Sequence, residues 1–558
     1  MFLILAPAGL YAQVELVPVY HKVYSFLERM SMEGIIDYNN AEIPISRGRV
    51  AKYLEEVYAK RSKLTGTERG ILHDMMVEFS YDITKSTSKS FSLLSHLPGG
   101  LLNIFNDNEQ KYLVYYADPH FSLFLDGVGE VSYRSFDYEG SPQASLSLFD
   151  LGPRLRGTLF GNVAYYIHVT EGQTVTGDQY ARSIAQGYDP ILLSSTKFLD
   201  ERYITAFNAG YLRYESTNGA VALTLGRENF EIGDGYINKL WVSDNAPPFD
   251  AARIDLHYKF FRYTFFYGSL QGDSLGVPLT SKNLVGSYLN IELSPSFRFG
   301  IYQSLTLANT PFSFSFFNPV SVLESVSLNT YTPVDAKAMI GFDSEYRPCK
   351  DVGIQASLLI NDLNFGTLGD KKSTAGNNNK FGYQLGLMYV NPFGISDLTA
   401  KLEYTLLDPF VYTSRSNMTN YTNWGVSVGT PLPPNSDQIA LELNYYLTNR
   451  ITLDFLYEHQ RSGTGFLDAN GNPTFVDRGV ITTNYGGDIN RGDLDFGHVN
   501  NFLEGFRVNH DIFTLSARWE PIRQYFIDLS YSYQSVDKLY LTKTYSDQIF
   551  YATVSTDF

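Results

Sequence analysis

The sequence predicts an all-β transmembrane protein: a large antiparallel outer-membrane β-barrel of about 16–18 strands with a small N-terminal helical bundle. Three observations predict it. Apolar and polar residues alternate over hundreds of positions, which is the period of a strand with two unlike faces. The apolar face is aromatic: the chain has 42 Tyr and 39 Phe against 3 Trp, a bias that suits strands and interfacial girdles. The chain also ends inside a strand. In its last stretch Tyr525, Ile527, Leu529, Tyr531 and Tyr533 share one face, and Asp528, Ser530, Ser532 and Gln534 share the other. Phe550, Ala552, Val554, Thr556 and the terminal Phe558 then repeat the pattern.

Composition bounds the function. A mean hydropathy of −0.16 is compatible with a barrel, because only alternate residues meet lipid. No run reaches the roughly 18 apolar residues of a spanning helix. The net charge of −16 argues against nucleic acid, whose phosphates need a basic surface. The single cysteine, Cys349, excludes an internal disulfide and a thiolate metal cage, and reads as a turn residue. A terminal aromatic on the last strand resembles the assembly signal of bacterial outer-membrane proteins. The barrel assembly machinery and outer-membrane lipid or lipopolysaccharide are therefore expected partners.

From the N-terminus, MFLILAPAGLYAQ reads as the remnant of a secretory signal peptide over residues 1–12, cleaved after Ala12, although no Lys or Arg precedes its apolar run. A helical period follows. Val19, Val23, Phe26, Leu27 and Met30 make one stripe, and Gly34 sits where that helix should stop. Ser46 is placed to cap a second helix with Val50, Leu54 and Val57 inside. Thr65 and Glu68 have capping-box spacing ahead of Ile71, Leu72, Met75, Met76 and Phe79. Residues 13–100 thus read as a helical bundle, either a plug at the periplasmic mouth or a cell-wall module, since EGIIDYNNAEIPISRGRVAKYLEEV resembles one S-layer homology repeat.

Residues 101–558 read as the barrel. Alternating runs fall near 111–117, 121–137, 144–157, 160–171, 203–216, 220–231, 252–270, 282–295 and 297–308. They continue near 336–347, 351–363, 380–391, 397–409, 421–429, 436–448, 449–463, 503–520, 524–537 and 547–558. Charged residues on these runs should line the lumen, because Arg or Lys facing the midplane of the lipid costs roughly 2–4 kcal/mol. Arg253, Asp255, His257 and Lys259 form one such row, Glu403 belongs to a second, and Asp454 and Glu458 to a third. Their mixed signs suggest pairs that brace the wall rather than a selectivity ring. Long segments near 172–200, 364–379 and 462–501 should be extracellular. Thr310 to Val334 is too apolar for a solvated loop and is expected to fold into the lumen or lie across a mouth.

Catalytic and cofactor signals are weak. Gly425–Gly429 matches G-x-S-x-G, but within an alternating run and with no helix after it, so no nucleophile elbow is expected. Asp468–Asn472 has cation-loop oxygens without the closing Glu and reads as a turn. No H-E-x-x-H pair and no phosphate-cradling loop with Lys is present. Neither metal nor cofactor nor catalytic residue is assigned. The segment Leu225 to Leu256 has the most character. It gathers Arg227, Asp234, Tyr236, Trp241 and Asp244, an aromatic surface beside carboxylate groups of the kind that takes sugar. The alternative is an inward loop held by the wall.

Several blocks resemble the Wzi family of outer-membrane capsule-assembly proteins. They are PISRGRVAKYLEEV in the head, LGRENFEIGDGYINKLWVSDNAPPFDAARI, KNLVGSYLNIELSP, FFNPVSV, IQASLLINDL, and the long run from EYTLLDPFVYTSRSNMTNYTNWGVSVG to LDFLYEHQR. The aromatic strands resemble a Bacteroidetes-like relative. The chain departs from the family pattern at Glu231–Gly235, where a Trp and a second Gly are expected, and at Ser287, where a His is expected. The resemblance implies a barrel of about eighteen strands in the Gram-negative outer membrane, with a periplasmic helical bundle. It implies a lectin, not an enzyme, that binds capsular or surface polysaccharide and helps its assembly or attachment. A general porin or solute channel is the alternative.

Overall fold

The computed structural model describes residues 13–96, 101–271, 281–329, 335–363, 379–414, 416–464, 466–467, 473–474, 483–491 and 501–558. Eighteen antiparallel strands among them close into one barrel. In chain order they are β1 Ser122–Tyr138, β2 Ala144–Leu159, β3 Val163–Thr176, β4 Tyr203–Glu215, β5 Val221–Glu228 and β6 Phe249–Tyr258. Next come β7 Phe261–Leu270, β8 Lys282–Ser294, β9 Phe297–Ala308, β10 Asp335–Cys349, β11 Val352–Asp362 and β12 Lys380–Val390. The last are β13 Leu398–Leu407, β14 Ser436–Thr448, β15 Ile451–Thr464, β16 Phe506–Ile522, β17 Tyr525–Lys538 and β18 Lys543–Asp557. Each strand pairs with the next, and β18 returns to β1 from Asp547 opposite Tyr138 to Asp557 opposite Val128. Phe558 continues the seam: its N–H donates to the Gly127 carbonyl at 2.9 Å.

Three expected runs differ. The run 252–270 is two strands, β6 and β7, because Lys259 takes a left-handed turn conformation (φ 55°) and reverses the chain. The run 111–117 yields only short pieces at the foot of β1. The run 421–429 is not wall but a small hairpin inside the barrel, with Thr422 opposite Ser427.

Alternation sorts the wall as expected. On β5, Leu223 and Leu225 point out while Ala222 and Thr224 are buried toward the lumen. On β17, Leu529, Tyr531 and Tyr533 are outward and exposed. No described helix is long and apolar enough to cross a membrane. Tight turns such as 160–162, 259–260 and 449–450 rim one mouth, and the long connections after β3, β5, β9 and β13 rim the other.

The head closes the tight-turn mouth. It comprises α1 Val23–Met32, α2 Arg47–Ala59, α3 Gly66–Glu78 and α4 Ser80–Thr84. Helix α1 begins four residues later than the stripe suggested, because a turn precedes it, closed by the His21 N–H donating to the Pro18 carbonyl (3.0 Å); the residues before that turn follow the inner wall, where the Leu16 N–H donates to the Tyr211 hydroxyl on β4 at 2.8 Å. The Thr65–Glu68 capping box forms with both reciprocal bonds. Ser46 precedes α2, but its hydroxyl donates to Glu215 on β4 (3.3 Å) instead of accepting from the helix. Val50, Leu54 and Val57 are fully buried, and the core they share includes Tyr446 of β14. Arg29 fastens the head. It is 1% exposed, pairs with Glu33 (3.2 Å) and Glu68 (2.9 Å), and donates to the Leu398 carbonyl (2.9 Å), the Thr399 hydroxyl (3.0 Å) and the Asn391 amide oxygen (2.6 Å).

Arg29→Ala leaves two buried carboxylates without their cation, so head docking should weaken by about 3–5 kcal/mol. The expected readout is early proteolysis within residues 13–96 while the barrel stays resistant. Burial, with Glu68 beside it, pushes the Glu33 carboxyl up from 4.5 to about 7. A native group with a raised pKa holds its proton longer than the unfolded chain does, so stability falls as pH rises through this window. Amide protection factors in α1, with the intrinsic pH dependence of exchange divided out, should therefore be highest below about pH 4.5 and fall toward pH 7, and Glu33→Gln should flatten that profile.

Candidate functional site

The sugar-like segment forms an inward loop. After β5 the chain turns down into the lumen and meets the head there. Glu231 and Ile232 pair with Ile43 and Glu42, and the Gly233 N–H donates to the Ala41 carbonyl at 2.9 Å. The connection after β13 also folds inward and grips the same loop. The Ser243 N–H donates to the Val428 carbonyl (2.9 Å), and the Tyr421 hydroxyl to the Trp241 carbonyl (2.9 Å). Three separate parts of the chain thus fill the lumen beside β6 to β14.

The wall is built to receive them. The Glu403 carboxylate accepts the N–H groups of Tyr236 (3.0 Å), Ile237 (3.1 Å) and Asn238 (3.0 Å) at the loop tip, and the Gln384 amide at 3.1 Å. Sequence reasoning placed Glu403 in the lumen but missed this grip, since nothing in TAKLEYTLL points to a loop some 165 residues away. Arg298 on β9 clamps Asp234 (2.7 Å) and Glu345 (2.7 Å), and the Tyr236 hydroxyl donates to Glu345 at 3.1 Å. Gly353 leaves the room that the Tyr236 ring end and Met32 occupy; a Cβ there would overlap both.

The predicted sugar residues separate into two groups. Trp241 is 0% exposed, stacked on Tyr302 at 4.9 Å and packed against Phe266 and Tyr288. Asp234 and Tyr236 are buried with their partners. These three anchor the inward loop, because each offers its recognition face to the wall. Asp244 is exposed. Arg227 is on the outward parity of β5, paired with Asp250 of β6 at 2.7 Å, and does not meet the other four. Of the lumen row, Arg253 and Asp255 pair at 3.0 Å, and Asp255 also holds Arg213 (3.1 Å). His257 follows on the same face, half-buried. Lys259 leaves the row, exposed in the turn. Asp454 and Glu458 take amide bonds from Asn444 and Gln438. Opposite-sign pairing is thus present in the Arg253–Asp255 row, whereas the partners of Asp454 and Glu458 are neutral amides.

The β1 to β4 and β16 to β18 side stays open as a cavity of 500 Å³. Its walls include Arg134, Asp150, His168, Asp189 and Tyr551. Arg134 pairs with Asp189 at 2.7 Å and lies 4.8 Å over the Tyr551 ring. Its Nε, the His168 Nε2 and the Asn208 Oδ1 are buried without a protein partner. A roof of three short helices, α5 Gln179–Gln186, α6 Pro190–Ser194 and α7 Phe198–Glu201, covers it from the long-loop mouth. The sequence had marked this region as irregular, yet Asp178 and Asp189 cap α5 and α6. Gly425–Gly429 sits in the inner hairpin, where the Ser427 hydroxyl accepts from the Gly429 N–H at 3.1 Å and no helix follows. Asp468–Asn472 lies outside the described residues.

Glu403→Ala strands the buried Tyr236 N–H, which costs about 1–3 kcal/mol, and releases the part-buried N–H groups of Ile237 and Asn238. The inward loop should detach at its tip, and ion conductance of the reconstituted barrel should rise above that of the unaltered chain.

The family model described as capsule assembly protein Wzi matches residues 139–538. No curated protein sequence matches the chain. Among solved structures, the barrel resembles Wzi from Escherichia coli, described as an outer-membrane protein involved in group 1 capsule assembly and a carbohydrate-binding β-barrel. The TM-score is 0.58 at 11% identity, covering 97% of this chain and 99% of that one. OprD from Pseudomonas aeruginosa matches with a TM-score of 0.43 at 11% identity, covering 78% and 94%. With its eighteen-strand closed barrel, its small helical head and a family match over most of its length, this chain belongs to the Wzi family of capsule assembly proteins.

Proposed function

We propose that this protein is a non-enzymatic outer-membrane scaffold that binds capsular or surface polysaccharide and helps its assembly or attachment at the cell surface. The observation that carries the reading is the lumen: three chain segments fill one side of it, and the open side is a roofed cavity of 500 Å³ whose lining includes Arg134, Asp150, Asp189 and Tyr551. Paired charges of both signs give that cavity hydrogen-bonding groups, with the Tyr551 ring among them. That chemistry suits a neutral or weakly charged polyhydroxylated ligand better than a bare ion. Residues 13–100 face the periplasm as the plug of the barrel at 101–558, and the long connections face outward. Asp244 is exposed and Arg227 is part-exposed. They contact glycan at the outer mouth, while Asp234, Tyr236 and Trp241 hold the loop that presents Asp244. The Phe558 end of the seam is the element that the barrel assembly machinery engages.

The test is binding of purified capsular or surface polysaccharide to the detergent-solubilised protein, together with planar-bilayer conductance. Retention of glycan with no steady conductance is expected. Arg134→Ala with His168→Ala should weaken binding about ten-fold, equivalent to roughly 1.4 kcal/mol. Steady conductance from the full chain with no glycan retained would replace this reading with a solute channel.

A further inference from the structure

The apolar connection after β9 lies neither in the lumen nor across a mouth. It folds back over the outer wall. Phe316 and Leu323 pack on Phe265, Val285, Leu305 and Leu307, which have the outward parity of β7, β8 and β9; their inward neighbours Phe266, Leu284 and Tyr302 belong to the core around Trp241. The expectation of an inward plug failed because an apolar segment has two dry destinations in a barrel, and the sequence does not say which. Here the wall decides. Ser287 and Gln303 face outward, where a polar side chain has no partner in lipid. Residues 309–329 supply one. The Gln303 amide donates to the Ser321 carbonyl (2.9 Å) and accepts from the Leu323 N–H (3.0 Å), and it also donates to the Ser287 hydroxyl at 3.0 Å. The Tyr263 hydroxyl donates to the Pro319 carbonyl.

We propose that residues 309–329 are a strap inserted in the hydrocarbon of the bilayer, whose partner is lipid acyl chain. Gln303 is five residues below the end of β9 at Ala308. That is about 17 Å along a strand and about 12 Å of depth at a tilt near 45°, inside the apolar band. On its free side the strap exposes Phe312 (57%), Phe314 (81%), Val320 (86%), Val322 (62%) and Leu328 (77%). These continue the apolar belt of the outward strand faces, so the interface they join is the lipid face of the barrel itself. The strap contains no Lys or Arg, and Glu324 is its one charged residue. It therefore recognises chains rather than phosphate headgroups. Its backbone bears the burial because turns close on themselves, with Phe316 N–H donating to the Ser313 carbonyl (3.0 Å) and Val326 N–H to the Val322 carbonyl (3.1 Å), and because two prolines remove two donors.

The experiment places a fluorophore on Val320→Cys, and separately on Phe314→Cys, in a Cys349→Ser background, with the full chain reconstituted in phosphatidylcholine vesicles. Heat-modifiable gel migration confirms the folded barrel. Acyl-chain-brominated lipid should lower emission roughly two-fold at both positions while aqueous iodide leaves it nearly unchanged, since the strap is sealed from water. Gln303→Leu, which removes the polar tie but keeps the wall apolar, should make the label accessible to iodide. Iodide quenching without bromine quenching in the unaltered Gln303 background would overturn the proposal. So would efficient disulfide dimerisation of unlabelled Val320→Cys, which would assign the face to a second copy of the chain.

Discussion

The closure of β18 onto β1 is the constraint on which the molecule depends. In hydrocarbon a strand edge has no water to satisfy its N–H and C=O groups, so a sheet that crosses must close. Closure converts the two-residue period of each strand into an inside and an outside. Every other property follows from that division. Leu223 and Leu225 meet lipid because Ala222 and Thr224 face the lumen. The seam runs to the final residue, where Phe558 pairs with Gly127 and its ring approaches Tyr525 at 5.4 Å.

An eighteen-strand barrel encloses more volume than its own wall side chains fill. This chain fills it from both ends. The head enters by the tight-turn mouth and two long connections enter by the other, and they meet where Ile43 pairs with Glu231. The contacts are polar as well as apolar: Arg29, Arg298 and Glu403 each satisfy several partners while almost wholly buried. Such groups are costly if left alone and specific when fully paired. They fix the register of the plug against the wall, whereas Trp241, stacked on Tyr302, contributes packing of about 0.5–1.5 kcal/mol beyond its buried area.

The same polarity logic explains both surfaces of the wall. Inside, Arg213 and Arg253 both pair with Asp255. Outside, the Ser287–Gln303 pair is covered by residues 309–329, so the polar site is traded for an apolar exterior. Ser287 stands at a position where the sequence departs from the family pattern, and the structure gives it an outward role unconnected with the lumen.

Much of the fold was legible in the sequence. Alternation over single strands, the capping box at Thr65 and Glu68, and the helix stop at Gly34 are local signals, fixed by side-chain periodicity and backbone preference. They located nearly all the wall and the three main helices of the head. Where local signals were shared by two outcomes, they misled: 421–429 alternates like a wall strand but is an inner hairpin, and 252–270 hid its reversal at Lys259. The site was less legible. Composition singled out Leu225 to Leu256 as a special loop, but only tertiary contacts decided that Trp241 and Tyr236 face the wall, that Arg227 faces outward and that Glu403 grips the tip. Alternation tells which residues share a face; it does not tell which distant segment comes to cover that face, because that choice rests on the shape and polar groups of a closed surface assembled from eighteen strands.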